Sequence, residues 1–439
     1  MKKGLLRLAI FSFFLGLAPG LSAQKNDLAR TEDAVILNGD RFPELLGREI
    51  PRLSVLALRR GALAPIPFQV DEKTPKGDYV FESGKNRNSD PDPNFDANDE
   101  LVFMVFDAGD RAAKFDLPGL LSAHEITIKD PLGRGQAWAY LALFEKDAPR
   151  SAVDYIRAEY DKATNHNLVT ASNYMVRTRA DAIVYDHFAL PGPDGKFGPN
   201  LIDQFKIRGN LSLLWGRMKF PFNFDELVKS KVTAVKDGPV RVIRQGEGYL
   251  DIAKVKIKGT GFAVLYFYPN FFVYPMTIDF PIDLRKMLTD IDVQGFTDYS
   301  KTAYGSHYYD AQNPYNPEVV LDGKMSDAEK NLKIHFDHDW LCHVGTPGNV
   351  CHRIWFSKEW DFLKKEVVYI DDDRKLDPPE NQPGVHAMGY NLVNFINLKK
   401  GPQTYWMHYY FPSKFKLGQE YRFLDVLDHP LAIETAKAK

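Results

Sequence analysis

One stretch limits the folds open to this chain more than any other: Gly238–Leu284, GPVRVIRQGEGYLDIAKVKIKGTGFAVLYFYPNFFVYPMTIDFPIDL. For most of its length side-chain character changes every second residue, which is the period of a strand and not of a helix. Val255 and Ile257 would face one side and Lys254, Lys256 and Lys258 the other, while Gly246, Gly248, Gly259 and Gly261 mark places to bend or turn back. The pattern predicts the centre of an antiparallel sheet with one wet face.

The rest of the chain supports that reading. AVILNGD and REIPRLSVLALRRG between Asp33 and Val70, and then Leu101–Phe106, look like short strands punctuated by turns. A polar, Gly-, Asn-, Asp- and Pro-rich loop separates them over Lys73–Asn98. Glu125–Ile128, the turn Asp130–Gly135 and Trp138–Phe144 predict a hairpin. Residues Tyr155–Asn167 are polar and read as a linker or short helix. Beyond them strand-like segments resume, including Trp355–Ile370 and Tyr390–Tyr410, and the only helical candidates are the short Asp283–Thr289, Ser326–Leu332 and Ser357–Lys364. The expected fold class is all-β: a small N-terminal β-sandwich over about residues 24–155, followed by a larger antiparallel β-sandwich over about 160–430. At 439 residues two domains are the natural division, and no internal repeat points to a propeller or solenoid.

Residues 1–23 read as a secretory signal peptide: Lys2, Lys3 and Arg7 supply positive charge, Leu8–Ala18 is apolar, and Leu21-Ser22-Ala23 offers small residues before Gln24. The apolar run is shorter than the roughly 20 residues a spanning helix needs, so no transmembrane segment is expected in the mature chain. Periplasmic or extracellular localisation follows as an expectation. An outer-membrane barrel is not expected, because regular ten-residue segments with an apolar outward face do not recur and the C-terminus, AIETAKAK, is polar. A formal charge of −2, from 56 Lys plus Arg against 58 Asp plus Glu, supplies no field for nucleic acid. The two cysteines, Cys342 and Cys351, flank the turn HVGTPGNV and are expected to form a disulfide in an oxidising compartment; the spacing fits neither a zinc ribbon nor a haem attachment site.

Four constellations could carry chemistry. In SDPDPNFDANDE, Asp90, Asp92 and Asp96 place oxygen donors at the spacing a Ca²⁺ loop uses, although Leu101 stands where an EF-hand needs Glu; the plainer reading is a solvated turn with Asx caps. Asp371-Asp372-Asp373 reads as an exposed turn. His335, His338, His343 and His352 gather four of the chain's 11 histidines near the cysteines, so a transition-metal site is one reading and a polar strand face the other. Tyr304 and His307, in YGSHYYD, are of the types that serve as base and acid in uronic-acid elimination. Tyr266, Tyr268 and Tyr274 alternate with buried-type residues and suit either sugar stacking or packing between layers.

The functional expectation is an exported, non-catalytic protein of the cell envelope or the extracellular space that contacts a glycan or another envelope component through aromatic residues. Two alternatives stay open: a carbohydrate-active enzyme resembling a polysaccharide lyase, acting through Tyr304 and His307 or the histidine cluster, and a metal-binding accessory protein. No GxSxG elbow supports a serine hydrolase.

Overall fold

A computed structural model describes residues 24–181, 185–213, 218–223, 228–252, 255–280, 283, 285, 289–335, 339–346, 348–412 and 415–438, without side-chain placement at 211, 213, 220, 228, 250–252, 255–262 and 280. The expected signal peptide, 1–23, lies outside them, as do His338, most of the helical candidate Asp283–Thr289 and the side-chain directions expected of Lys254–Lys258. The chain is all-β, built of several antiparallel sheets.

The stretch with the two-residue period supplies the middle of the largest sheet. Val228–Asp237, Val242–Ile252, Val255–Phe267 and Phe271–Phe280 run as successive antiparallel neighbours, each joined to the next in sequence. Gly401–Tyr410 then pairs with Phe271–Phe280, followed outward by Val350–Phe356, Trp340–Val344 and His307–Asp310; Ser83–Gly84 closes the opposite edge, making nine strands. A five-stranded sheet runs Met218–Asn223, Ile202–Leu213, Asp290–Tyr299, Val385–Val393, Lys364–Asp372. A four-stranded sheet runs Tyr185–Ala189, Met175–Arg179, His166–Ala171, Ile156–Asp161. Both lay their apolar faces on the inner face of the nine-stranded sheet. The shared core takes Phe267, Phe272, Tyr274 and Tyr409 from the large sheet, Phe205, Met388 and Tyr390 from the second, and Val169, Val176 and Phe188 from the third.

A smaller core sits between a three-stranded sheet, Ala34–Asn38, Glu100–Met104, Gln69–Asp71, and a five-stranded sheet that contains the expected hairpin, Leu120–Lys129 paired with Gln136–Phe144. Val35, Leu101 and Phe103 meet Val55, Ile126 and Leu141 there. Two segments cross the boundary drawn from sequence near residue 155. Ser83–Gly84 pairs with Val228–Asp237, and the C-terminal strand Ala432–Lys437 pairs with Leu120–Lys129.

Local differences from the sequence reading have simple causes. Tyr155–Asn167 contains the strand Ile156–Asp161, whose charged residues are tolerated because it is the edge of its sheet. Ser326–Leu332 holds one helical turn, Asp327–Lys330, fixed by a capping box between Ser326 and Glu329. Tyr421–Asp428 is a helix that sequence reading missed; it covers Tyr410 and Tyr309 with Phe423. Among the described residues no helix is long and apolar enough to cross a membrane.

Candidate functional site

The tyrosines singled out from sequence are taken up by packing. Tyr274 lies in the main core, 3% exposed. Tyr268 is also buried, and with Tyr266 and Tyr79 it surrounds the guanidinium of Arg241, whose centre lies 5.9, 5.4 and 5.7 Å from the three rings. Arg241 is fully buried and charge-paired: its Nε donates to Asp71 at 2.9 Å, and its Nη2 donates to Asp71 and, at 2.6 Å, to Glu100. This cage ties Gln69–Asp71 and Glu100–Met104 to the large sheet.

The acidic loop is organised by its own hydrogen bonds. Asp90 accepts from the Asp92 amide at 3.0 Å, Asp92 from the Asn94 amide at 3.3 Å, and buried Asp99 from the amides of Asp96 and Lys73. These are Asx turns and a loop anchor. Burial, then Asp92 and Asp90, raise the carboxyl pKa of Asp96.

The expected disulfide, Cys342–Cys351, is present and buried, and it joins directly opposed residues of neighbouring strands. Its flanking histidines each have a ring neighbour. His343 stacks on Tyr299 at 4.2 Å and bonds Ser306; His352 stacks on Tyr409 at 5.2 Å. Burial lowers both imidazoles to about 3. His335 is exposed, and among the described residues no three His, Cys, Asp or Glu side chains converge in a metal-holding group.

Tyr304 and His307 go different ways. His307 bonds the Val319 carbonyl at 3.2 Å through Nδ1 and meets the Tyr315 ring edge-on. Tyr304 instead turns to residues far away in sequence, at the rim of the sandwich where Asp290–Tyr299 ends, Lys364–Asp372 ends and Val385–Val393 begins. Asp371 and His386 are opposed in register on the last two strands. His386 Nδ1 lies 2.9 Å from Asp371, and its Nε2 lies 3.2 Å from the Tyr304 hydroxyl. That hydroxyl donates to Asp373 at 2.6 Å, and Lys301 Nζ also lies 2.6 Å from Asp373. Asp371, which sequence placed in an exposed turn, is 0% exposed and accepts from the backbone amides of Asp322, Gly323 and Lys324. Those donors meet the desolvation cost of a buried carboxylate. Burial and the Asp373 carboxylate push the Tyr304 phenol above its ordinary range, while Lys301 and Tyr304 hold Asp373 below its own.

A second feature stands on the outer face of the nine-stranded sheet. Trp355, Trp406 and Pro275 occupy one row across three adjacent strands. The two indoles lie 4.4 Å apart, tilted by 44°, and Trp355 is 47% exposed. Beside them Thr277 and Thr404 are opposed and share a hydroxyl hydrogen bond of 2.9 Å. Alternation explains the placement: Tyr405 and Met407 point to the packed side, so Trp406 points away from it. On the other flank Arg353 and His408, two residues along, are buried, and Arg353 is bonded to Asp339 and, on the helix Tyr421–Asp428, to Asp428 and the Leu424 carbonyl. The row is therefore the part of this strand pair left open by the cover.

No protein-family model matches the chain, and no curated protein matches it in sequence.

Proposed function

We propose that the protein is an exported, non-catalytic binding protein of the envelope or extracellular space that holds a glycan against the outer face of its largest sheet. The observation that supports this reading most is the Trp355–Trp406 pair. Two indoles side by side on a firm pleated surface, with hydroxyls alongside, offer an apolar platform and polar edges, the combination that a pyranose ring and its equatorial hydroxyls complement. The tyrosines first weighed for this role are spent on the Arg241 cage and the core, so the contact moves to the tryptophans. Export rests on the sequence of residues 1–23 alone.

The test is affinity electrophoresis through gels holding neutral glucans, mannans or uronic-acid polymers, followed by calorimetry on any retarding polymer. Trp355→Ala or Trp406→Ala is expected to weaken binding about tenfold, roughly 1.4 kcal/mol per decade, at unchanged thermal stability. Full retardation of the double variant would remove this reading, as would absence of retardation in every gel.

A second reading, uronate elimination, is favoured by one observation: Tyr304 meets a histidine, although that histidine is His386. With its phenol pKa raised, Tyr304 would serve as the proton donor to the leaving group. Ultraviolet absorbance from an unsaturated uronate product, lost in Tyr304→Phe, would support it.

A further inference from the structure

The rim cluster brings an imidazole nitrogen, a phenol oxygen and a carboxylate oxygen to one point. Asp371 accepts backbone hydrogen bonds and faces His386 Nδ1, so Nδ1 is the donor to that carboxylate and Nε2 is the ring atom turned toward the cluster. Nε2 faces the Tyr304 hydroxyl at 3.2 Å and Asp373 Oδ1 at 3.5 Å, and the hydroxyl lies 2.6 Å from that same Oδ1. Imidazole nitrogen, phenol oxygen and carboxylate oxygen thus form a closed triangle, with Lys301 Nζ also on Asp373 Oδ1 at 2.6 Å. Donors at 2.0–2.1 Å from a tetrahedral ion are themselves about 3.3 Å apart, the scale of this triangle.

Three further features suit a cation. The carboxylates of Asp322, Asp371 and Asp373 surround the phenol and all act on it electrostatically, against the ammonium of Lys301, whose side chain is 45% exposed. His386 is 1% exposed and oriented by Asp371 from behind, the carboxylate–imidazole arrangement that supports metal-bound histidines. Side-chain atoms are also kept away from the donors by glycine: a Cβ at Gly323 would lie 2.7 Å from the Tyr304 hydroxyl oxygen, and one at Gly384 would lie 2.8 Å from His386 Nε2. Both glycines have positive φ, +88° and +104°.

We propose that Tyr304, Asp373 and His386 form a binding site for a divalent transition-metal ion of the zinc class, with Asp371 as the positioning residue behind His386. The site is independent of the glycan face. Binding replaces the phenol proton, which leaves to solvent, so one proton is released per ion and affinity rises with pH. The histidine cluster near the disulfide, from which sequence suggested a metal, contributes no ligand to it.

The experiment uses the whole mature chain, stripped with EDTA and titrated with Zn²⁺ against a chromophoric chelator, with metal content measured after gel filtration. One equivalent is expected in the wild type. Tyr304→Phe, Asp373→Asn and His386→Gln should each weaken binding at least tenfold, Asp371→Asn by about 10–100-fold, and His335→Ala should change nothing. Far-UV circular dichroism and thermal unfolding in EDTA identify variants that fail to fold. As a second measurement, Cu²⁺ loading should give a visible phenolate-to-copper band that Tyr304→Phe abolishes. No stoichiometric Zn²⁺ in the wild type, or wild-type affinity in folded Tyr304→Phe and Asp373→Asn, would show that the cluster holds only protons and overturn the proposal.

Discussion

Asp71→Asn removes one charge from the Arg241 cage and changes almost no volume. Asp71 is 0% exposed; its Oδ2 faces Arg241, while its Oδ1 accepts from Gln69 Nε2 at 2.8 Å. Gln69 cannot turn round, because its Oε1 accepts the backbone amides of Val240 and Arg241 at 3.1 and 2.8 Å. The new amide therefore meets a donor with its own NH₂ whichever way it points: Gln69 Nε2 in one orientation, the guanidinium in the other. Among the described residues Arg241 is left with Glu100 as its one direct carboxylate partner. Removing one partner of a buried pair costs about 3–5 kcal/mol, and the retained Glu100 contact places the expectation near the low end, about 3 kcal/mol. Unfolding entropy of about 2.1 cal/mol/K per residue makes that roughly 3 °C in Tm for a chain of this length. Isothermal denaturation by urea, followed by tryptophan fluorescence, measures it, with Asp40→Asn as the exposed control. A loss below 1 kcal/mol for Asp71→Asn would refute the view that this charge pair holds the two sheets together.

Acid sensitivity should come from histidines. Burial lowers His343, His352 and His408 to about 3, so below the ordinary value near 6.5 the unfolded chain binds protons that the folded chain refuses. Stability from these groups is complete above pH 6.5 and falls as pH drops toward 3, by about 1.4 kcal/mol per pH unit for each histidine. His408→Gln should flatten the slope of denaturation series between pH 7 and 5 by its own share, up to about 1.4 kcal/mol per pH unit; an unchanged slope would contradict the burial argument. Replacing both cysteines by serine opens a loop of sequence separation 9 and is expected to lower stability by about 2.5 kcal/mol, read as a shift in the denaturation midpoint. Trp355→Ala should leave that midpoint within about 0.5 kcal/mol, since the ring is largely at the surface.

How much of this was legible in residue order differs from feature to feature. The alternating run around Gly238–Leu284 announced its sheet because a strand's period is local, and the Cys342–Cys351 bridge was legible because its loop is short. The tyrosines were ambiguous for the same reason: alternation says that Tyr266 and Tyr268 share a face opposite Phe267, not what covers that face. The cover on that face came from Asp71, Glu100 and Tyr79, arriving from some 165 to 200 residues earlier in the sequence. Trp355 and Trp406 carried a faint signal as members of alternating runs, yet nothing in either run reveals that they are paired across strands.

The sequence by itself determined the class of structure, since hydrophobic periodicity and turn residues act within a few neighbours and need no partner. Which polar side chains became neighbours was decided only by tertiary pairing. His386 is a solitary histidine in VHAMGYNLV, and its meeting with Tyr304 depends on strand ends that lie 82 residues apart in the chain. The triple Asp371–Asp373 reads as a wet turn because ionised carboxylates prefer water, and only the amides of Asp322, Gly323 and Lys324, delivered by another loop, make Asp371 stable inside.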